Sequence, residues 1–321
     1  MRRRFTGRGF ALAVVVAAAL VSAAVAAASS WTMGNAAVDR ANLDTFVNFT
    51  VVDQTNPADA DGLLDQITYY VRLLAPGSNQ NGVALAVVRK TAPCPGTTCS
   101  FKVVWISNNL ANPATSGVYT FTPATPIPIK ARDNLALYFP GRGIVPYTLL
   151  AAEDPQLWEF WEPNNSGKPV VGEQLTISDP AAVTPTQQQH RRQYSVEGWT
   201  TDCTFSIGQP VDSEGSSVFK AGRGVIPLKL IPSCGNGSLA PKITIMYSGA
   251  GDEVVNEAVR SVSAADSGST MRWDASAGQY IYNLDTKAKT AGAYRISVKV
   301  SEIEVLAVDF KLRQTAHASS G

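Results

Sequence analysis

Residues Val218–Leu230 read VFKAGRGVIPLKL, in which a β-rich start leads through a glycine-rich turn into a second β-rich run. Gly222 and Gly224 can adopt the positive φ angles that a tight turn requires. Pro227 has no backbone N–H, so it fits the beginning or the edge of a strand, where no ladder hydrogen bond is lost. The stretch therefore predicts the start of an all-β module.

Apolar and polar residues of this module alternate with the two-residue period of a strand. Leu228 and Leu230 are expected to face a core while Lys229 covers the surface; a contact between Lys229 and a ligand is the alternative. The period recurs in Tyr294, Ile296, Val298 and Val300, and in Leu306, Val308, Phe310 and Leu312. Strands with one buried face are typical of two packed sheets, and about 110 residues with roughly seven strands have the size of an immunoglobulin-like sandwich.

Three segments of this module, VFKAGRGVIPLKL, MRWDASAGQYIYNLDTK and AGAYRISV, together resemble the PxKF module of secreted bacterial proteins. The Pro-x-Lys part of the motif is Pro227-Leu228-Lys229, and Leu230 stands where the motif has phenylalanine. The resemblance covers about residues 203–313. It implies an exported, modular, non-catalytic part and specifies no ligand.

The preceding residues are predicted to form a jelly-roll-like β-sandwich at 29–200, followed by the immunoglobulin-like β-sandwich at 201–313. Short β-rich runs alternate there with clusters of Gly, Pro, Asn and Asp, and no segment has a capped helical period. Phe121–Lys130 and Leu135–Tyr147 are similar to jelly-roll-like modules of bacterial extracellular proteins. Gly167–Arg192 is interpreted as a loop and Gln193–Gly198 as the closing strand of this domain; an interdomain linker is the competing interpretation.

The N-terminal residues 1–28 have the features of a cleavable signal peptide. Four arginines precede the apolar run Phe10–Ala27, and small residues suited to cleavage follow; a membrane anchor is the alternative. Removal of these residues changes the net charge from +1 to −3. We therefore expect a secreted protein with no membrane span, a disordered tail at 314–321, and no affinity for nucleic acid from bulk charge.

The cysteines are four in number, at positions 94, 99, 203 and 234. In an oxidising compartment, the pairs that are near in sequence are favoured, Cys94–Cys99 and Cys203–Cys234. A zinc site is the alternative, but the cysteine spacing and the two histidines do not fit one.

An aromatic cluster at 158–162, with the sequence WEFWE, offers the most suggestive binding site. Exposed tryptophans on a sheet can stack on sugar rings, so Trp158 and Trp161, with Tyr147 as a third residue, are the predicted ligand contacts. A core strand with one aromatic face is the competing interpretation. The acidic residues Asp154, Glu159 and Glu162 suggest a glycosidase, but residues of one strand that differ by an odd number face opposite sides, so we predict no enzyme.

Acidic residues near position 60 suggest a metal site. Asp53, Asp59 and Asp61 supply the hard oxygen ligands that calcium prefers, although the twelfth-position acid of an EF-hand is missing. Structural calcium is thus one interpretation and a polar turn the other; no other cofactor is predicted.

The sequence contains neither a nucleophile elbow nor a phosphate-binding loop followed by a helix. We expect a secreted, non-catalytic binding or surface-structure protein whose partner is an extracellular glycan or a cell-surface component. A polysaccharide hydrolase or lyase on the first domain and an architectural spacer are the alternatives.

Overall fold

A computed structural model describes residues 30–91, 98–150, 160–163, 167–178, 191–222, 224–248, 254–257, 259–264, 266 and 268–314. These residues form strands and turns and contain no helix, which confirms the all-β prediction. Within them, no helical segment has the length and hydropathy needed to cross a membrane.

The first part of the chain contributes strands β1 to β13. They are β1 (Ser30–Gly34), β2 (Phe49–Asp53), β3 (Gly62–Val71), β4 (Ala84–Lys90), β5 (Thr98–Ile106), β6 (Gly117–Phe121), β7 (Ile127–Ile129), β8 (Asp133–Phe139), β9 (Tyr147–Leu150), β10 (Phe160–Pro163), β11 (Gln174–Ser178), β12 (Arg191–Tyr194) and β13 (Val196–Asp202).

These strands form a sheet, a ring and a ribbon. The first sheet has the order β1-β13-β3-β6, with β7 also paired to β3. Strands β10, β11, β5, β4, β8 and β2 close into a ring, and β9 pairs with β12. A large core that includes Met33, Ile67 and Leu85 joins the sheet to the ring. A smaller core that includes Val52, Phe101 and Val103 lies on the other face of the ring strands.

The second part contributes strands β14 to β22. They are β14 (Phe205–Gly208), β15 (Val218–Lys220), β16 (Val225–Pro232), β17 (Lys242–Ser248), β18 (Val254–Glu257), β19 (Arg272–Asp274), β20 (Gln279–Asp285), β21 (Gly292–Val300) and β22 (Ile303–Arg313). Their two sheets have the orders β14-β16-β20-β19 and β15-β22-β21-β17-β18. All these pairings are antiparallel except β15 with β22.

The predicted alternation of this second part is confirmed. In β21, Tyr294, Ile296 and Val298 are buried in a core shared by both sheets. In β16, Leu228 and Leu230 are buried and Lys229 is partly exposed. Strand β14 pairs with β16 only at Lys229–Pro232. Within the described residues, Pro227 therefore lies where β16 has no partner strand on that side, and its missing N–H breaks no hydrogen bond of that ladder.

The predicted bridge between Cys203 and Cys234 is present. It lies just beyond the β14–β16 ladder, whose end pairs Phe205 with Pro232. Cys94 lies outside the described residues, so the Cys94–Cys99 pairing stays a prediction.

Two expectations about the first part were wrong in detail. The stretch Gly167–Arg192, interpreted as a loop, contains β11, which pairs with β5. The predicted closing strand Gln193–Gly198 is divided between β12 and β13, and β13 continues to Asp202 between β1 and β3. Partners for both segments lie far away in sequence, which local composition does not reveal.

The two parts meet along a junction. Leu63 of β3 packs in the core of the second part, and Ile303 of β22 packs in the large core of the first. The hydroxyl of Ser301, in the turn between β21 and β22, donates to the carbonyl of Pro126 at 3.3 Å. The domain division near residue 201 stays a prediction.

Candidate functional site

The predicted aromatic site falls largely outside the described residues. Trp158, Glu159 and Asp154 lie beyond them. Trp161 and Glu162 belong to β10, where Trp161 pairs with Val51 and Glu162 with Thr50, but their side chains are not among the described ones.

Tyr147 lies in the core of the first part. Its side chain is 8% exposed, and its ring centroid is 5.4 Å from that of Tyr194. The guanidinium carbon of Arg192 lies over the same ring, 4.5 Å from its centroid. Stacking of a sugar on Tyr147 would therefore require this packing to open.

The three aspartates of the predicted calcium site are not gathered into one site. Asp53 is buried, and its carboxylate accepts hydrogen bonds from Thr55, Asn35 and the backbone N–H of Tyr194. Burial raises the pKa of Asp53, against the effect of these hydrogen bonds. Asp59 and Asp61 are exposed. Among the described side chains, no three of His, Cys, Asp and Glu are grouped as metal ligands would be.

One face of the first sheet carries an exposed tryptophan. Trp199 of β13 is 46% exposed, between Thr32 of β1 and Gln66 of β3. Residues on the opposite side of the same strands, such as Met33 and Ile67, are completely buried. The outward residues are all at least partly exposed: Thr32, Gln66, Thr68, Tyr70, Val118, Thr120, Glu197 and Trp199. We call this set the open face.

The polar groups of the open face are available to a ligand. Within the described part of the chain, the Trp199 indole N–H, the Gln66 amide and the Glu197 carboxylate have no hydrogen-bond partner. Tyr70 lies four residues along β3 from Gln66, so strand geometry places it about 14 Å from Trp199. A flat sheet surface with two separated aromatic rings and free polar groups can contact an extended chain.

A second concave surface lies at the junction of the two parts. It consists of adjoining cavities of about 650, 450 and 150 Å³, which we call the junction groove. The first and second share Val171 and Glu302, and the second and third share Arg89 and Lys130. The groove therefore runs along strands of the first part and past the β21–β22 turn.

The largest cavity of the groove is mainly apolar. It is lined chiefly by Trp105, Ile106, Leu110, Phe121, Pro123 and Val171. The rings of Trp105 and Phe121 are 5.7 Å apart and both are partly exposed. This cavity thus presents an aromatic surface at one end of the groove.

A β-bulge directs Trp105 to this cavity. Val87 of β4 pairs with Trp105 and Val88 pairs with Val103, so Val104 is an extra residue in β5. Without it, Trp105 would share a face with Phe101 and Val103, which lie in the smaller core. With it, Trp105 packs at the edge of the large core instead.

The middle cavity of the groove is lined by four cationic residues, Arg89, Lys102, Lys130 and Lys299. Buried Asp133 accepts hydrogen bonds from Arg89 and from the backbone N–H of Lys130. The hydrogen bonds from Arg89 to Asp133 raise the pKa of Arg89 above its usual value. Asp133 therefore fixes the position of one cation and the backbone of another.

A search of the chain against models of protein families finds no match, and no curated protein is significantly similar to it.

Sequence analysis missed both surfaces. The predicted closing strand ended at Gly198, one residue before Trp199. A longer predicted strand would have placed Trp199 on a face of the sheet and so identified it as a candidate contact. Trp105 lies in the β-rich run FKVVWIS at 101–107, but the bulge that turns it outward has no local signature. The lysines of the middle cavity come from segments far apart in sequence.

Proposed function

We propose that the chain is an exported, non-catalytic glycan-binding protein and that the open face of its first sheet is the binding surface. The observation that carries the proposal is the 46% exposure of Trp199 on an inner strand of the sheet. A tryptophan at such a position adds little to the core and leaves almost half of its side chain open to a ligand.

The surroundings of Trp199 support a sugar as the ligand. The flanking Thr32 and Gln66 and the nearby Glu197 offer donors and acceptors of the kind that bind hydroxyl groups. Aromatic rings supply a large, rigid contact area, and polar groups around them fix the orientation of the ligand. Export is supported by the leader-like residues 1–28 and by the Cys203–Cys234 bridge.

The test is a glycan array followed by titration of the best ligand. The Trp199→Ala variant should bind at least about tenfold more weakly, as expected when a central aromatic contact is lost. Trp199→Phe, which keeps a ring, should retain most of the affinity. Both variants should unfold at nearly the wild-type temperature because the site is on the surface.

Absence of binding to every glycan would refute the proposal. Binding that Trp199→Ala leaves unchanged would show that the glycan contacts another surface.

A further inference from the structure

We propose that the junction groove binds a carboxylate-bearing glycan chain, with Lys102 and Lys130 pairing with its carboxylates and Trp105 and Phe121 packing against its rings. This is a second surface, separate from the open face, and it does not depend on the role of Trp199.

The cations of the groove are free to meet an anion. Lys102 and Lys130 are exposed, and no described side chain pairs with either ammonium group. The chain without residues 1–28 carries a net charge of −3, so this cluster of cations has the opposite sign to the chain as a whole. A local positive surface on an acidic protein attracts anions at short range.

The carboxylates of the groove are already engaged. Glu302 pairs with Lys242 at 2.8 Å, and Glu304 accepts a hydrogen bond from Ser297. Asp61 accepts a hydrogen bond from the backbone N–H of Ala131 at 2.9 Å. Among the described side chains, only Glu302 is offset by a cation, and Glu304 and Asp61 keep their charges, but none of the three pairs with Lys102 or Lys130. The middle cavity has four cationic side chains against the two carboxylates Glu302 and Glu304, so its lining is still positive overall.

The placement of the cations is unfavourable for the fold alone. Arg89 and Lys102 are direct cross-strand neighbours in the β4–β5 ladder, and like charges in such positions are destabilising. Asp133 offsets the charge of Arg89 but makes no hydrogen bond to Lys102. A bound carboxylate near Lys102 would relieve this repulsion.

The neighbouring apolar cavity selects the class of anion. A small inorganic ion would use only the cationic part, whereas an acidic glycan can also pack its rings against Trp105 and Phe121. Thr125, which lines the same cavity, offers a hydroxyl group to sugar hydroxyls, and the Ser301 hydroxyl, which donates to Pro126, can still accept a hydrogen bond. A nucleic acid is the competing polyanion, and competition by an oligonucleotide distinguishes it from the glycan.

The experiment measures binding of a fluorescent oligogalacturonate to the full chain by anisotropy, at low and high salt. In Lys102→Gln/Lys130→Gln, affinity should fall roughly five- to thirtyfold, the effect of losing two exposed charge pairs. The control Lys220→Gln/Lys311→Gln removes two exposed lysines of β15 and β22 and should bind as the wild type does. Trp105→Ala should also weaken binding, with an unchanged salt dependence.

The methyl ester of the same oligosaccharide separates charge from stacking and should bind poorly. Equal binding of the ester and the acid, or equal loss in the control variant, would overturn the proposal. The proposal would also be overturned if a single-stranded oligonucleotide displaced the fluorescent probe as effectively as unlabelled oligogalacturonate does. Trp199→Ala should leave oligogalacturonate binding at the groove unchanged, so that this test and the test of the open face fail independently.

Discussion

The buried carboxylate of Asp133 binds Arg89 through two hydrogen bonds, from Nε at 2.8 Å and from Nη2 at 2.7 Å. The same carboxylate accepts the backbone N–H of Lys130 at 2.8 Å. Asp133 begins β8 and Arg89 lies near the end of β4, so the pair ties two ring strands together beneath the groove.

Replacement of Asp133 by asparagine should destabilise the chain. The substituted side chain would leave the Arg89 charge without its partner and turn an amide toward groups that all donate hydrogen bonds. Because the Arg89 side chain is 33% exposed and can be partly solvated, the loss should cost roughly 2 kcal/mol of unfolding free energy, measurable by urea denaturation. The control Asp309→Asn removes a 3.5 Å pair with Arg295 whose side chains are 61% and 49% exposed. It should cost less than about 1 kcal/mol; equal losses in both variants would contradict the prediction.

The disulfide should stabilise the second part by restricting the unfolded chain. Cys203 and Cys234 are separated by 31 residues. A loop of this length gives about 3 to 4 kcal/mol in the chain-entropy account. We expect Cys203→Ala/Cys234→Ala to lose that much unfolding free energy.

A reductant provides the control for the disulfide prediction. Both proteins are compared with Cys94→Ala/Cys99→Ala added, because the reductant would also open the predicted Cys94–Cys99 bridge. The reductant should then lower the stability of the protein with the Cys203–Cys234 bridge to near that of the double variant and have little effect on the double variant itself. A large effect of the reductant on the double variant would show that it lowers stability by a route other than the Cys203–Cys234 bridge.

The ion pair between Glu302 and Lys242 should give stability a weak acid dependence. The hydrogen bond from Lys242 and the nearby lysine charges lower the pKa of Glu302 in the folded chain. A folded-state pKa below the unfolded one stabilises the fold above the unfolded pKa, and this contribution is lost as the pH falls through the folded pKa. Because both side chains are more than half exposed, the contribution should be no more than about 1 kcal/mol.

Urea denaturation of wild type and Glu302→Gln from neutral to acid pH measures this contribution. The two proteins should differ near neutrality and converge at acid pH, where Glu302 is protonated. A difference that persists or grows at acid pH would rule out the ion pair as its source.

Local sequence was a good guide to the second part. Alternation in β21 correctly identified Tyr294, Ile296 and Val298 as core residues. Alternation in β16 correctly identified Leu228 and Leu230 as buried. Both features depend on alternation between neighbouring residues, whereas the Cys203–Cys234 bridge joins residues 31 apart.

The first part was harder to predict because its features depend on distant partners. The bulge at Val104 is defined by the register between β5 and β4, and it alone moves Trp105 out of line with Phe101 and Val103. A period of two would have put all three on one face. Nothing in the amino-acid sequence around Val104 indicates that a bulge occurs there.

Trp199 illustrates a second limit of the sequence. Alternation indicates that Gly198 and Trp199 face opposite sides, but it does not indicate which side another layer covers. Gly198 faces inward, where an added Cβ would lie 2.6 Å from the Leu64 side chain. The packing of the ring strands against that side leaves Trp199 in solvent.

Period and composition were sufficient for the all-β class and for the alternating strands of the second part, since these follow from backbone sterics and short-range patterning. The favouring of cysteines near in sequence was sufficient for the Cys203–Cys234 bridge. The open face and the junction groove arise from which strands pair and which layers pack together. These choices depend on the free energy of burying side chains that lie far apart in the chain, such as Leu63 and Ile303, and therefore required the folded molecule.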